Sequence, residues 1–211
     1  MTSRVPYKQI RARRPTPDTI IVYQAYNAKI ASAAVEHQRL NASDAFSMTR
    51  MTWIKPSFYW CMYRAGWSFK DKNQSHILQI TMKFEGFLTL LKSAVPTSGP
   101  GMNVNGSKAV RVQWDPERSI RLGRLDYRSL QLGISGDLNK QWIEEWICDI
   151  KDITEDVRRW KGYLDEGAES SEKRAEMEAK VQEELDGEYK EEVIEVDDEI
   201  RARLGMDRVG H

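Results

Sequence analysis

A chain of 211 residues, 40% hydrophobic and 30% charged, is long enough for one buried core, since roughly 100–200 residues make a domain, and no run reaches the roughly 20 apolar residues of a membrane span. Its 32 Lys and Arg balance 32 Asp and Glu, and with only 2 Cys and 3 His a disulfide framework and a multi-ligand zinc site are excluded. Met1 to Arg14 is polar and basic, without the apolar stretch of a signal peptide, so the expected location is the cytoplasm.

The neutral total hides a division. Residues 1–160 carry 24 Lys and Arg against 15 Asp and Glu, whereas residues 161–211 carry 8 against 17. The predicted organisation is a basic mixed domain over 1–160 followed by an acidic tail over 161–211, helical or partly disordered. A basic body attracts polyanions, and an acidic tail either screens it in cis or is a solvated end.

Arg11 to Pro17 is a basic arm whose two prolines disfavour helix. The β-branched run Thr19 to Tyr23 predicts a buried strand, and the Ala-rich stretch Ala28 to Arg39 a helix. Gln24 to Asn27 forms a polar strand-to-helix junction, a common place for a site, although Asn27 also suits a helix cap. Phe46 to Trp67 is the densest region, with three Trp, two Phe, two Tyr and three Met beside Arg50, Lys55 and Arg64. Pro56 fits the first turn of a helix running through Ser57 to Ala65, with Gly66 as its stop. On it Phe58, Cys61 and Met62 share a core face, which leaves Arg64 and the Lys55 to Ser57 turn without a packing explanation.

His76 to Lys83 alternates as a strand, Glu85 to Ala94 reads as a short helix, and Pro96 to Ser107 as a loop. Ala109 to Trp114 predicts a strand ended by a turn at Asp115 to Arg118, and Leu125 to Ile134 a further strand. Leu138 to Ile147 reads as a helix, and Cys148 to Ile153 as a closing strand or turn. Both cysteines, Cys61 and Cys148, are expected to be buried thiols. From Thr154 onward the Glu and Lys spacing supports exposed helix with few apolar positions to dock it, and residues 165–190 are expected to be marginal helix or disordered. The resulting fold class is α+β, with a mainly antiparallel sheet, flanking helices and the acidic tail. A Walker-type loop and a dinucleotide fingerprint are both missing, and His37, His76 and His211 are scattered without metal-ligand spacing.

Five strings, QIRA (Gln9 to Ala12), TIIVYQAYN (Thr19 to Asn27), RMTWIKPSFYWCMYRAGW (Arg50 to Trp67), VQWDPER (Val112 to Arg118) and YRSLQLGISG (Tyr127 to Gly136), resemble in order the domain of unknown function 4291 family. The resemblance covers about residues 7–157 and leaves the acidic end outside. The chain is also similar to the fungal arginine-containing cyclodipeptide synthases, which implies joining of an arginyl group from arginyl-tRNA to a second aminoacyl group from another aminoacyl-tRNA. No cofactor and no metal are implied. On this reading Arg11, Arg13, Arg14 and Arg121, with Lys55 and Arg64, are candidates for tRNA phosphates.

Ester aminolysis needs a nucleophile or positioned amine, a proton acceptor and an oxyanion donor. Ser57, in a helix's first turn, is the preferred nucleophile, although serine is equally a cap. Lys55, Tyr26 and Gln24 complete the catalytic set. Asp115, Glu117 and Asp137 are the carboxylates suited to a guanidinium, with pairing of the first two to Arg118 or Arg128 as the structural alternative. Gln113 and Ser129 orient substrate, and Arg50, Arg64, Arg118 and Arg128 join the substrate-binding set. The element order also looks like the compact ADP-ribosyltransferase plan, with Gln24, Ser57 and Gln131 around a nicotinamide dinucleotide, but the usual histidine or arginine and terminal glutamate are missing. A third possibility is a non-catalytic RNA-binding module whose acidic tail regulates access. On any of these readings, truncation after about Gly162 is expected to leave a folded domain that binds RNA more tightly at low salt.

Overall fold

The computed structural model describes residues 7–97 and 110–206. Most of the predicted Pro96 to Ser107 loop, Ala109 and His211 lie outside the described residues.

Two larger sheets, beside a two-stranded one, organise the described residues. In the first, β2 (Thr19–Tyr26), β4 (His76–Lys83) and β8 (Ile147–Asp152) run antiparallel in the order β2-β4-β8. In the second, β3 (Thr52–Ile54), β7 (Arg124–Ile134), β6 (Val110–Arg118) and β5 (Ala94–Pro96) lie in the order β3-β7-β6-β5, with only the β5–β6 edge parallel. The sheets meet at one backbone pair: Tyr23 N donates to Lys55 O at 2.7 Å and Lys55 N to Tyr23 O at 3.2 Å. Lys55 therefore stands on the seam.

The period-two pattern decides which face is wet. Val110, Val112, Leu130, Leu132 and Ile134 turn into the first core with Ile20, Val22, Leu78 and Ile80. Gln113 and Gln131, paired in register, occupy the other face with Asp115. The expected turn at Asp115 to Arg118 is instead the end of β6. A bulge between Pro116 and Arg118 accommodates the missing proline N–H, and the chain reverses at Ser119 to Gly123, where Leu122 takes φ 63°.

Helices cover the sheets. Asn27 caps α1 (Ala28–His37), its Oδ1 accepting from Ile30 N at 3.0 Å. Ser57 caps α2 (Phe58–Ala65), and Gly66 stops it in the left-handed region at φ 55°, where a Cβ would lie 2.8 Å from Lys70 Cβ. After α3 (Phe84–Ser93), the expected Leu138 to Ile147 helix proves to be α4 (Gly136–Gln141) followed by a π-helical turn, Trp142–Trp146. That turn buries Trp142 and Trp146, the latter so close to Gly86 that a Cβ there would meet the indole at 2.6 Å. Cys61 is buried as expected, whereas Cys148 is exposed because the alternation of β8 turns it outward.

The acidic segment is docked more firmly than its composition suggests. Beyond α5 (Thr154–Glu166), α6 (Ser171–Glu188) places Met177, Val181 and Leu185 on one buried stripe that continues into Tyr189. Val181, Leu185 and Tyr189 pack in a second core with Ile21, Tyr23, Phe58 and Trp160, and the Tyr189 and Trp160 rings meet edge-on at 5.0 Å. β9 (Glu192–Val193) then pairs with β1 (Arg11–Ala12), and α7 (Asp198–Leu204) sends Ile200 and Leu204 into the first core. At about 1.5–3 kcal/mol for each fully buried aliphatic or aromatic side chain, these anchors outweigh the solvation preference of the charged face. Among the described residues no helix is long and apolar enough to cross a membrane.

Candidate functional site

A cavity of about 1080 Å³ opens beside the sheet seam. β2 contributes Gln24 and Tyr26, the segment leading into α2 contributes Arg50, Trp53 and Lys55, and α2 itself contributes Trp60, Cys61, Tyr63 and Arg64. The wet face of the second sheet supplies Gln113, Asp115, Arg118 and Gln131. The close approach of β3 to this face depends on Gly133, where a Cβ would lie 2.6 Å from Met51 Sδ and 2.9 Å from the Trp53 ring.

Asp115 is the best-defined carboxylate in the cavity. Its Oδ1 accepts from Gln113 Nε2 at 2.9 Å and its Oδ2 from Gln131 Nε2 at 2.7 Å. Each oxygen keeps acceptor capacity, and among the described residues no Lys or Arg forms an ion pair with it. The result is a fixed, negatively charged fork facing the cavity, suited to a planar cation.

Lys55 is the second notable group. Its Nζ donates to Trp53 O at 3.3 Å, and burial pulls its pKa below the ordinary lysine value, against the opposing influence of Cys61 and Asp115. A recessed amine of this kind is neutral, and so free to accept a proton, at a lower pH than a solvated lysine. Cys61 beside it is pushed up to about 11 by burial, so it stays a thiol. Gln24 is held by its donation to Trp53 O at 3.0 Å and accepts from Tyr26 OH at 3.2 Å, and burial raises the Tyr26 phenol. Arg118 stacks its guanidinium 3.6 Å from the Tyr63 centroid, and Trp60 and Tyr63 stack on each other at 5.2 Å.

Ser57 does not line this cavity. It is 1% exposed; its Oγ accepts from Trp60 N at 3.1 Å and donates to Glu117 Oε1 at 2.9 Å, which is a capping role. Glu117 is buried as the base of that cap, also accepts from Arg118 N at 2.8 Å, and is raised above the usual carboxylate range by desolvation. Ser129 is buried beside it. A second cavity of about 380 Å³ lies there, lined by Glu117, Glu191, Arg11 and three tyrosines, Tyr59, Tyr127 and Tyr189. Glu191, from the acidic segment, accepts from Phe58 N at the start of α2, and burial with the neighbouring Glu117 raises it to about 8.

The remaining expected site residues lie elsewhere. Arg128 donates to Tyr7 OH at 2.6 Å and Trp114 O at 2.8 Å, and Asp137 is exposed in the first turn of α4. Arg13 lies 5.8 Å from the Tyr189 ring, Arg14 lies 3.9 Å from the Phe84 ring, and Arg121 ion-pairs with Glu178 and donates to Leu164 O at 2.9 Å. Sequence reasoning gave Gln131 no part in holding Asp115 and overlooked Trp53 and Tyr63; the alternation of β7 opposite Gln113 was the signal for the first. Nothing in the local sequence points to Glu191, because tertiary folding alone brings it to α2.

Among the described residues there is no group of three or more His, Cys, Asp or Glu able to hold a metal ion. The arrangement instead offers a recessed amine, an anchored carboxylate, amide donors and aromatic walls, the equipment for binding a cationic substrate group and moving a proton. No curated protein matches the chain. The family model described as "Domain of unknown function (DUF4291)" matches residues 9–185, which takes in α5 and most of α6, so that the acidic helix falls within the family's span and the chain belongs to that family.

Proposed function

We propose that this protein is an aminoacyl-tRNA-dependent, peptide-bond-forming transferase of the cytoplasm that joins an arginyl group to a second aminoacyl group and releases them as a cyclic dipeptide. The observation that carries the reading is Asp115, a carboxylate fixed by Gln113 and Gln131 inside a cavity and unmatched by any ion-paired cation among the described residues. A guanidinium has the planar two-pronged shape that such a carboxylate accepts. In the first step the α-amine of one aminoacyl group attacks the ester carbonyl of the other. The amide C–N bond forms, the C–O bond to the ribose breaks, and the ribose oxygen leaves with a proton. In the second step the free α-amine of the dipeptidyl ester attacks its remaining ester carbonyl, which closes the ring and frees the second tRNA. Lys55, recessed and with a lowered pKa, takes the proton from the attacking amine. Gln24 and Tyr26, tied to one another and to Trp53 O, orient the acyl groups.

An ADP-ribosyl-type transferase is the second reading, supported by Gln24 and Gln131 sharing the cavity and weakened by the capping role of Ser57. Expression in a bacterial host, with mass spectrometry of the medium, tests the proposal. Arginine-containing diketopiperazines are expected; their absence with soluble protein, together with nicotinamide release from the dinucleotide, would favour the second reading.

A further inference from the structure

If substrates arrive on tRNA, some surface must meet the RNA, and the basic N-terminal arm is the first candidate by charge. The structure commits that arm elsewhere. Arg14 lies against Phe84 and donates to Pro17 O, Arg13 stands over Tyr189, and Arg11 donates to Gln9 Oε1 and lies 5.9 Å from the Tyr127 ring. Arg121 is neutralised by Glu178 of α6, and Arg159 of α5 by Glu184. A guanidinium engaged with rings and carboxylates must leave those partners before it can pair with a phosphate.

The cavity rim is different. Arg50 and Arg64 are exposed and line the mouth from opposite sides of Lys55 in the chain. Among the described residues neither makes an ion pair. Lys72 does not itself line the cavity, but it is exposed, makes no ion pair among the described residues, and lies in a short turn whose neighbours Asp71, Asn73 and Gln74 do. Asp71, a carboxylate lining the cavity beside Lys72, is turned back to accept from Asn73 N at 2.9 Å. Among the described residues no cavity-lining residue comes from the acidic segment, whose carboxylates neutralise cations at its own docking site instead. The tail therefore leaves the rim as the unscreened positive surface nearest the reactive groups.

Resting on the tRNA-dependent reading above, we propose that Arg50, Arg64 and Lys72 form the RNA-facing surface, holding the phosphates of the acceptor end while its terminal aminoacyl group enters the cavity. The arm braces the fold. An RNA end held here needs no sequence-reading groups, because phosphate charge supplies the affinity and the cavity supplies the selection.

Binding of a fluorescent tRNA to the full chain, followed by anisotropy over a salt series, tests the surface. Removing one cation–phosphate pairing lowers the log–log salt slope by about 0.7–0.9, so the Arg50→Ala/Arg64→Ala double variant should show a slope smaller by about 1.5. Arg50→Lys/Arg64→Lys should keep the slope, and Lys92→Ala/Lys151→Ala, which removes exposed cations from α3 and β8, should match the wild type. Equal slopes for the wild type and the double alanine variant would overturn the surface. Cyclic dipeptide formation measured on the same proteins separates the two proposals. Rim-dependent binding without turnover keeps the surface and removes the synthase, turnover with rim-independent binding does the reverse, and a wild type that binds no tRNA removes both.

Discussion

Replacing Asp115 by Asn keeps the shape of the carboxyl group and removes its charge. The side chain is fixed by Gln113 and Gln131, whose amides can turn to present an oxygen to the new NH2, so the fold should tolerate the change with less than about 1 kcal/mol of destabilisation. A guanidinium on the cavity side loses the charge-assisted character of two hydrogen bonds. Hydrogen bonds to charged groups contribute about 1.5–3 kcal/mol against about 1 for neutral ones, so the cost to arginyl recognition over two bonds is about 1–4 kcal/mol. At 1.4 kcal/mol per factor of ten, that is a fall of roughly 5- to 700-fold in kcat/KM for the arginyl substrate. The assay compares wild type and Asp115→Asn with arginyl-tRNA and a second aminoacyl-tRNA, reads diketopiperazine by mass spectrometry, and follows melting in parallel. Undiminished arginine incorporation by a folded variant would refute the reasoning, and so would an equal loss for products that contain no arginine.

Lys55→Met should abolish turnover while leaving tRNA binding intact. In the wild type, turnover should rise with pH through a pKa below the ordinary lysine value of about 10.4, because the neutral amine is the proton acceptor; a pH profile unchanged by the substitution would rule Lys55 out. Glu191 sits at about 8 in the native state against about 4.3 in an unfolded chain, so between those values the native protein holds a proton that the unfolded chain has released. Stability to urea should therefore fall as pH rises from about 4.3 to about 8 and level off above, and Glu191→Gln should flatten that fall; a parallel profile in the variant would contradict the burial of this carboxyl. Leu185→Ala, in the stripe that docks α6, should cost about 2–5 kcal/mol. A chain ending at Gly162 should fail to fold, because it discards Leu164, Val181, Leu185, Ile194, Ile200 and Leu204 from the two cores, and a cooperative melt for that fragment would show otherwise.

Local pattern carried much of the fold. β-branched runs and strict alternation marked β2, β4 and β7, and Asn27, Ser57 and Gly66 marked helix ends through chemistry that acts within a turn or two. The strand extension past Pro116 was hidden because a proline and two charges usually signal a turn, whereas a bulge satisfies the backbone here. The docking of α6 was hidden because one apolar residue per turn among many glutamates looks like a solvated helix until the aromatic surface it meets is known. At the site, the strings around Lys55 and Asp115 pointed to residues that come together, since Gln24, Tyr26, Arg50, Arg64, Gln113 and Arg118 all reach one cavity. Ser57 and Glu117 have cavity neighbours in the chain but turn beneath α2, a choice made by side-chain direction that spacing does not encode.

The most direct measurement follows radiolabelled arginine from arginyl-tRNA through the purified full-length protein in the presence of the other aminoacyl-tRNAs. Label appearing in an RNA-free cyclic dipeptide, and formed more slowly by Asp115→Asn, is the result expected. Label that leaves tRNA only as free arginine, or stays on it, would contradict the assignment of this cavity to arginyl transfer.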